Sequence, residues 1–544
     1  MRAFADLYAR LDETTKTTEK VAAMVRYFAA CTPADGAWAV YFLNGRKPRQ
    51  LVAAKLLKRW ASDAAGVPEW LFGESYHAVG DLAETVALLV PPGSPGDGST
   101  SLVDWVERRL LPLRGRAEVE QKSEMARAWA ELTPRERFVW NKLITGSLRV
   151  GVSQLLVVRA LAEASGLDAP TVAHRIMGEW QPTAAFFTGL TGADEGATAH
   201  NRPYPFCLAS PLEAAPADLG PVADWVAEWK WDGIRSQLVR RAGDTFLWSR
   251  GEELITDRFP EVVAAGSHLP DGTVIDGEVL PWADGGVRPF AALQRRIGRK
   301  TLTRKVMAEV PVTLLAYDLL EWQGVDVRDR PLEWRRATLE TVAGGRLQLS
   351  PVLSSNSWEA LGALRAESRP RGVEGLILKR KSSPYRVGRV RGEWWKWKVE
   401  PFAVDAVLVQ AQRGTGKRAS LFSDYTFAVW DGPALVPFAK AYSGLTDAEM
   451  RQVDAFVNRN TLDKFGPVRS VKPELVFEIG FEGIQASPRH KSGIAVRFPR
   501  ILRWRTDKPI DQADTIESVR RLLAVTESKP AAVADVRRGT PSMF

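Results

Sequence analysis

Residues 228–235 read Glu-Trp-Lys-Trp-Asp-Gly-Ile-Arg. A lysine between two tryptophans, followed by an Asp-Gly pair and an arginine, fits a strand that ends in a tight turn. A surface strand with no chemistry would satisfy the same description. Four fixed positions, Lys230, Asp232, Gly233 and Arg235, arise by chance in a chain of this length with an expectation of about 0.003 on uniform residue usage. The choice between the readings rests on whether the partners of a reactive lysine occur elsewhere. A lysine nucleophile has to be neutral, whereas an ordinary lysine titrates near ~10.4. Neighbouring cations and a divalent metal shift the balance by penalising the ammonium form.

Downstream segments supply cations. Residues 379–398 hold eight basic side chains against one acidic, and residues 489–508 hold seven against one. Such runs are usually solvated faces, but these are interleaved with Trp394, Trp395, Trp397, Phe498 and Trp504, a mixture suited to phosphate and base contact. Around them the pattern is of short runs rich in β-branched and aromatic residues: TFLWS, TVIDGEVL, VTLLAYDLL, EGLILK, DAVLVQA, DYTFAVW and LVFEIGF. Amphipathic stretches intervene, with Met450, Val453, Phe456 and Val457 on one helical face. This is a mixed α and β region.

The first ~200 residues carry a helical period instead. Phe4, Leu7, Tyr8 and Leu11 share one face of an opening helix. Thr133 and Glu136 have capping-box spacing with Pro134 at the first helical position, and Ser153 precedes a second helix that Gly166 closes, which predicts a helix-turn-helix pair. The Pro- and Gly-rich residues 91–100 form an exposed loop, and residues 189–205 a linker. The divisions expected are 1–200, 206–401, 402–527 and a loose tail over 528–544.

Composition narrows the class. The chain of 544 residues is 45% hydrophobic and 26% charged, close to globular averages, and its formal charge of +9 suggests a polyanionic partner. Two cysteines, Cys31 and Cys207, exclude a disulfide framework and a four-cysteine zinc site. There is no signal-peptide pattern and no run of ~18 apolar residues, so a cytoplasmic protein, nucleoid-associated in a bacterium, with no membrane partner is expected. The five histidines, 77, 174, 200, 268 and 490, are too scattered for a metal site. The segment Arg-Gly-Thr-Gly-Lys at 413–417 lacks the first glycine of a phosphate loop and has Arg418 in place of Ser or Thr, which leaves a basic hairpin loop.

Taken in order, the motifs resemble the covalent-lysine nucleotidyltransferases, and most closely the ATP-dependent DNA ligases. The resemblance implies a multidomain α+β protein: an all-α DNA-binding domain, an α+β adenylylation domain and a C-terminal OB-fold β-barrel. It assigns Lys230 to a lysyl-AMP bond and Glu228 to accepting from the adenine amino group. Arg235 and Arg250 join the nucleotide site, Glu278 lies near ribose and metal, and Tyr317 stacks on adenine where the family often has Phe. Glu374 is a second metal-side carboxylate; Arg391, Lys396 and Lys398 meet phosphates, and Arg497 and Lys508 orient pyrophosphate. ATP and Mg2+ are the implied cofactors and nicked duplex DNA the partner, bound by a monomer. Residues 141–162 resemble a helical segment of the DNA-binding domain, where Lys142 and Arg149 would hold duplex phosphates.

Each residue alone has a plainer reading: Glu278 and Glu374 as half-exposed strand residues, Tyr317 as core. The ordered set favours the chemistry, because two carboxylates and several cations around one phosphate are what phosphoryl transfer needs. An RNA ligase or a GTP-using capping enzyme shares the lysine motif, and a non-catalytic nucleic-acid-binding protein is the rival from another class. Residues 1–200 balance 23 basic against 23 acidic groups, so a DNA-binding domain there must use a local basic face.

Overall fold

The amphipathic pattern of the N-terminal region is realised as a run of helices from Arg2–Glu13 to Ala184–Thr191 in a computed structural model that describes residues 1–94, 96–146, 148–192, 200–297, 299, 302–414 and 421–527. The expected stripe of Phe4, Leu7, Tyr8 and Leu11 is buried. Thr133 and Glu136 close a reciprocal cap at the start of helix Pro134–Thr145, which ends at the left-handed Gly146. Helix Gln154–Ser165 ends at left-handed Gly166 as expected, although Ser153 makes no side-chain cap bond. The helix-turn-helix expectation needs correction. These two helices are consecutive, but the first packs chiefly on Leu82–Leu89 and the second on Thr17–Ala30. Their buried faces select different neighbours, which sequence proximity does not reveal. The described residues of 91–100 form an exposed, non-helical loop.

Contacts group the chain into two compact units, one built on Met1–Val172 and Pro401–Leu523, the other on Ala173–Glu179 and the described part of Gly196–Glu400. The second unit holds β1 (Trp225–Trp229), β2 (Ile234–Arg241), β3 (Asp244–Ser249), β4 (Thr273–Ala283), β5 (Val312–Trp322), β6 (Gly375–Arg380) and β7 (Trp394–Lys398). β5, β4, β2 and β3 are successive neighbours in one antiparallel sheet, while β7, β6 and β1 lie side by side in another. The Lys-Trp-Asp-Gly segment therefore turns no hairpin, since β1 and β2 belong to different sheets. Trp225, Ala227 and Trp229 alternate onto a core shared with Leu280 and Leu315 of the other sheet. Glu228 falls on the opposite face of β1.

In the first unit, strands β8 (Phe402–Arg413), β9 (Phe422–Asp431), β10 (Ala434–Ala441), β11 (Val476–Phe481) and β12 (Arg500–Trp504) form an antiparallel sheet. β8 pairs with β11 over its first half and with Val468–Val471 over its second. Helix Asp447–Arg459 buries Met450, Val453 and Val457 as its period predicts, and Phe456 is half-buried. β8 and β9 pair antiparallel, as a hairpin requires, but residues 415–417 of the basic loop lie outside the described residues, as do 193–199 of the linker and the tail 528–544. No described helix is long and apolar enough to cross a membrane.

Candidate active site

Lys230 follows the last residue of β1 and Glu374 precedes the first of β6. Two backbone hydrogen bonds join these ends, Lys230 N–H to the Gly375 carbonyl at 2.8 Å and Glu374 N–H to the Lys230 carbonyl at 2.8 Å. The side chains leave the sheet edge together, and Lys230 Nζ donates to Glu374 Oε2. β7 pairs antiparallel with β6, which sets Lys398 opposite Gly375 and Lys396 opposite Ile377. Lys398 Nζ stands 3.4 Å from the same Glu374 oxygen. Trp395 and Trp397 pack on the core from the alternate face of β7. Burial, then Arg389, Lys398 and Lys230, hold the Lys396 ammonium below the usual lysine range.

Two glycines make this packing possible. A Cβ on Gly233 would strike the Val279 carbonyl oxygen and lie 2.9 Å from Glu278 Cγ, so the corner after Lys230 can close against β4 only without a side chain. Gly375 has φ +136°, and a Cβ there would strike the Trp397 carbonyl oxygen.

Glu278 lies on β4 opposite Arg235 of β2. Burial pushes its carboxyl up to about 8, against the opposing pull of Lys230 and Arg235. Arg235 itself is enclosed: Nη2 meets Asp276 Oδ2 at 2.7 Å, and Nη1 donates to the Cys207 carbonyl at 2.6 Å. Tyr385 donates to the same Asp276 oxygen at 2.6 Å. Arg235 thus ties β2 to β4 and to the segment at Cys207, and its expected nucleotide contact has to be made from within this network. Asp276 was legible as a partner, because residues 276 and 278 share one strand face.

Tyr317 is buried on β5, with Lys379 Nζ 4.3 Å from its ring centre. Glu228, 3% exposed, has both oxygens engaged: Arg336 Nη1 meets Oε1 at 2.7 Å, and Lys379 Nζ meets Oε2 at 2.7 Å. Neither cation was anticipated at this place, although Lys379 sits inside a motif. Arg250 is exposed, its N–H donating to the Arg235 carbonyl at 2.9 Å, and Arg391 is exposed above Trp395.

Two groups of expected residues belong to the first unit. Lys508 Nζ pairs with Asp405 at 2.8 Å, and Arg505 shares that carboxylate at 2.7 Å, while the Arg497 guanidinium lies over Phe498. Lys142 revises the expectation of an open phosphate contact. It is 7% exposed and pairs with Asp81, because its position falls on the inward face of helix Pro134–Thr145. Arg149 is exposed.

Among the described residues no group of three or more His, Cys, Asp or Glu is arranged to hold a metal. Glu278 and Glu374 nevertheless both face Lys230, as hard oxygen donors. Mg2+ characteristically takes one or two carboxylates and completes its shell with water and substrate phosphate, so this donor set fits it.

Comparison with known proteins matches residues 1–162 to the family described as DNA ligase N terminus, 207–398 to the ATP dependent DNA ligase domain, and 418–508 to the ATP dependent DNA ligase C terminal region. A probable DNA ligase of Koribacter versatilis (strain Ellin345) is 34% identical, the match covering 95% of each chain. DNA ligase 1 of Korarchaeum cryptofilum (strain OPF8) is 30% identical over 96% of this chain and 98% of its own. The solved structure Pmar-Lig_Pre aligns with a TM-score of 0.59 over 92% of this chain and 99% of its own, and at 14% identity it bears on the fold alone.

Proposed function

This chain belongs to the ATP-dependent DNA ligases, and from that membership we propose that it seals nicks in duplex DNA through a covalent adenylate on Lys230. Lys230 Nζ attacks the α-phosphorus of ATP, forming a phosphoramidate as pyrophosphate leaves. The AMP passes to the 5′ phosphate at the nick. The 3′ hydroxyl then attacks that phosphorus, forming the phosphodiester and releasing AMP.

The observation that carries this reading is the pairing of Lys230 with Glu374 at the junction of β1 and β6, where the Lys230 backbone donates to the Gly375 carbonyl and accepts from the Glu374 N–H. Lys396 and Lys398 project beside them from β7 and supply charge for the α-phosphate. Glu278 and Glu374 would hold Mg2+, which when bound screens the anionic phosphate oxygens against the approaching amine. Tyr317 gives the adenine an aromatic face, and Glu228 an acceptor for its amino group. Arg235, Arg250 and Arg391 complete the nucleotide site, and Arg497 and Lys508 of the C-terminal OB-fold orient the leaving pyrophosphate. The division into 1–200, 206–401 and 402–527 follows these roles, the first part binding the duplex through Arg149 and neighbouring backbone amides, with the chain acting as a monomer.

The test is incubation with ATP labelled at the α-phosphate and Mg2+, followed by a denaturing gel. The wild type takes up covalent label and Lys230→Ala takes up none. Label on the alanine variant, or an unlabelled wild type, overturns the mechanism. Labelling by GTP in preference to ATP would indicate a capping-type enzyme, and better sealing of nicked RNA than nicked DNA an RNA ligase.

A further inference from the structure

The carboxylate of Glu228 is gripped from two sides by cations that the proposed chemistry does not use. Helix Leu332–Ala343 delivers Arg336, whose Nη1 donates to Glu228 Oε1 at 2.7 Å and whose Nη2 donates to the Ser350 carbonyl at 2.5 Å. Lys379, diagonally across from Glu228 in the β1–β6 pair, donates to Oε2 at 2.7 Å. The three side chains are buried. Ser350 Oγ in turn accepts from Trp231 Nε1 at 3.0 Å, so the same anchor reaches the residue after the nucleophile. Lys379 Nζ also lies between Tyr317 and Trp394, 4.3 and 4.5 Å from their ring centres.

Burying one anion between two cations is a costly way to join elements, since apolar side chains of similar size would do as well or better. The arrangement has a different product. A carboxylate offers about four lone-pair sites and donates nothing. With one site on each oxygen taken by a cation, the plane of the group is fixed, and a lone pair remains for an N–H donor. An exocyclic amine satisfies that acceptor; a purine bearing hydrogen at the same ring carbon leaves it unpaired, and a carbonyl there meets repulsion.

We infer that Arg336 is a positioning residue for nucleobase choice, clamping Glu228 so that its carboxylate reads the 6-amino group of ATP. The inference rests on the lysyl-adenylate reading above. The guanidinium is suited to the task because its planar fork spans Glu228 and the Ser350 carbonyl at once, whereas a single ammonium cannot hold both in that geometry.

The experiment uses the full chain and Mg2+, and measures single-turnover formation of the lysyl-nucleotide with ATP and with purine riboside triphosphate, which lacks the 6-amino group. The wild type prefers ATP by roughly 10- to 100-fold, the span of one hydrogen bond to a charged acceptor. In Arg336→Met the preference falls to about threefold or less, chiefly through a higher KM for ATP and with the saturated rate little changed. Arg336→Lys, which keeps the charge and loses the fork, recovers part of the preference. If both variants slow the two nucleotides by the same factor and keep the wild-type preference, Arg336 is only structural and the inference is overturned. Should Arg336→Met fail to fold, Arg336→Lys decides by the same criterion. A wild type that forms no lysyl-nucleotide from ATP overturns the underlying reading, and this inference with it, before any variant is made.

Discussion

Replacing Gly375 by alanine tests the claim that backbone geometry at the start of β6 aligns the reacting groups. Gly375 has φ +136°, a region that side chains rarely enter, and its missing Cβ would strike the Trp397 carbonyl and lie 2.7 Å from Lys398 Cα. Both obstacles are backbone atoms of β7, so no side chain can turn aside. Strain at such a φ costs about 1–3 kcal/mol, and overpacking adds about 1–3 kcal/mol more. A loss near the middle of the summed range, about 4 kcal/mol, lowers the melting transition of this unit by roughly 8–16 °C. Chemistry should suffer more than stability. The Gly375 carbonyl receives the Lys230 N–H and Glu374 is its neighbour, so a shift of about 1 Å separates nucleophile and carboxylate, worth about 100-fold in the rate of lysyl-adenylate formation. Gly243→Ala is the control, since its φ of +81° carries strain while no atom lies within 4 Å of the added methyl. That variant should lose about 1 kcal/mol and keep its adenylylation rate. Calorimetry and single-turnover labelling of both variants give the answer. A Gly375→Ala protein that matches Gly243→Ala in both measurements would refute the steric argument.

Glu278, raised in the fold to about 8, binds its proton more tightly when folded than unfolded, so the metal-free protein loses stability as pH rises from the unfolded value of ~4.3 through that point. Metal-free Glu278→Gln should therefore be more stable than the wild type at pH 8, by on the order of 2 kcal/mol of unfolding free energy after relaxation, with the difference vanishing near pH ~4, and should fail to adenylylate. Adding Mg2+ to the wild type near neutral pH should release a proton, read with a pH indicator; a Glu278→Gln protein that releases as much would exclude this carboxyl as its source. Arg335 and Asp318 form a fully buried pair with Nε to Oδ1 at 2.7 Å, so Arg335→Met should cost about 3–5 kcal/mol in denaturant unfolding, and Arg335→Met with Asp318→Leu should recover part of it. Asp405→Asn, which weakens the hold on both Lys508 and Arg505, should cost the C-terminal strands about 1–3 kcal/mol of unfolding free energy and increase the salt sensitivity of adenylylation; unchanged denaturant unfolding would show that this shared carboxylate is not structural.

The local features were legible because local rules set them. Thr133 and Glu136 cap a helix through bonds that span three residues, Gly146 and Gly166 end helices because each sits in the left-handed region, and the apolar face of Asp447–Arg459 follows from its period alone. The seven runs read as strands are strands, because their β-branched and aromatic residues pack on a pleated surface. By motif order the sequence also determined the family, and with it the lysine to examine. What it left open were the partners. Arg336 and Lys379 lie 108 and 151 residues from the Glu228 carboxylate they hold, and no spacing rule reaches that far. Lys142, basic in a basic-looking helix, turned inward to Asp81, since the face a helix buries depends on which neighbour it meets. Strand register decided the rest. A slip of one residue between β1 and β6 would turn Glu228 and Lys230 to the other face and part Lys230 from Glu374; what opposes it is the burial of Trp225, Ala227 and Trp229 on a core that only the folded chain assembles. The residue types and their order are properties of the chain; their meeting at one point is a property of long-range pairing and burial.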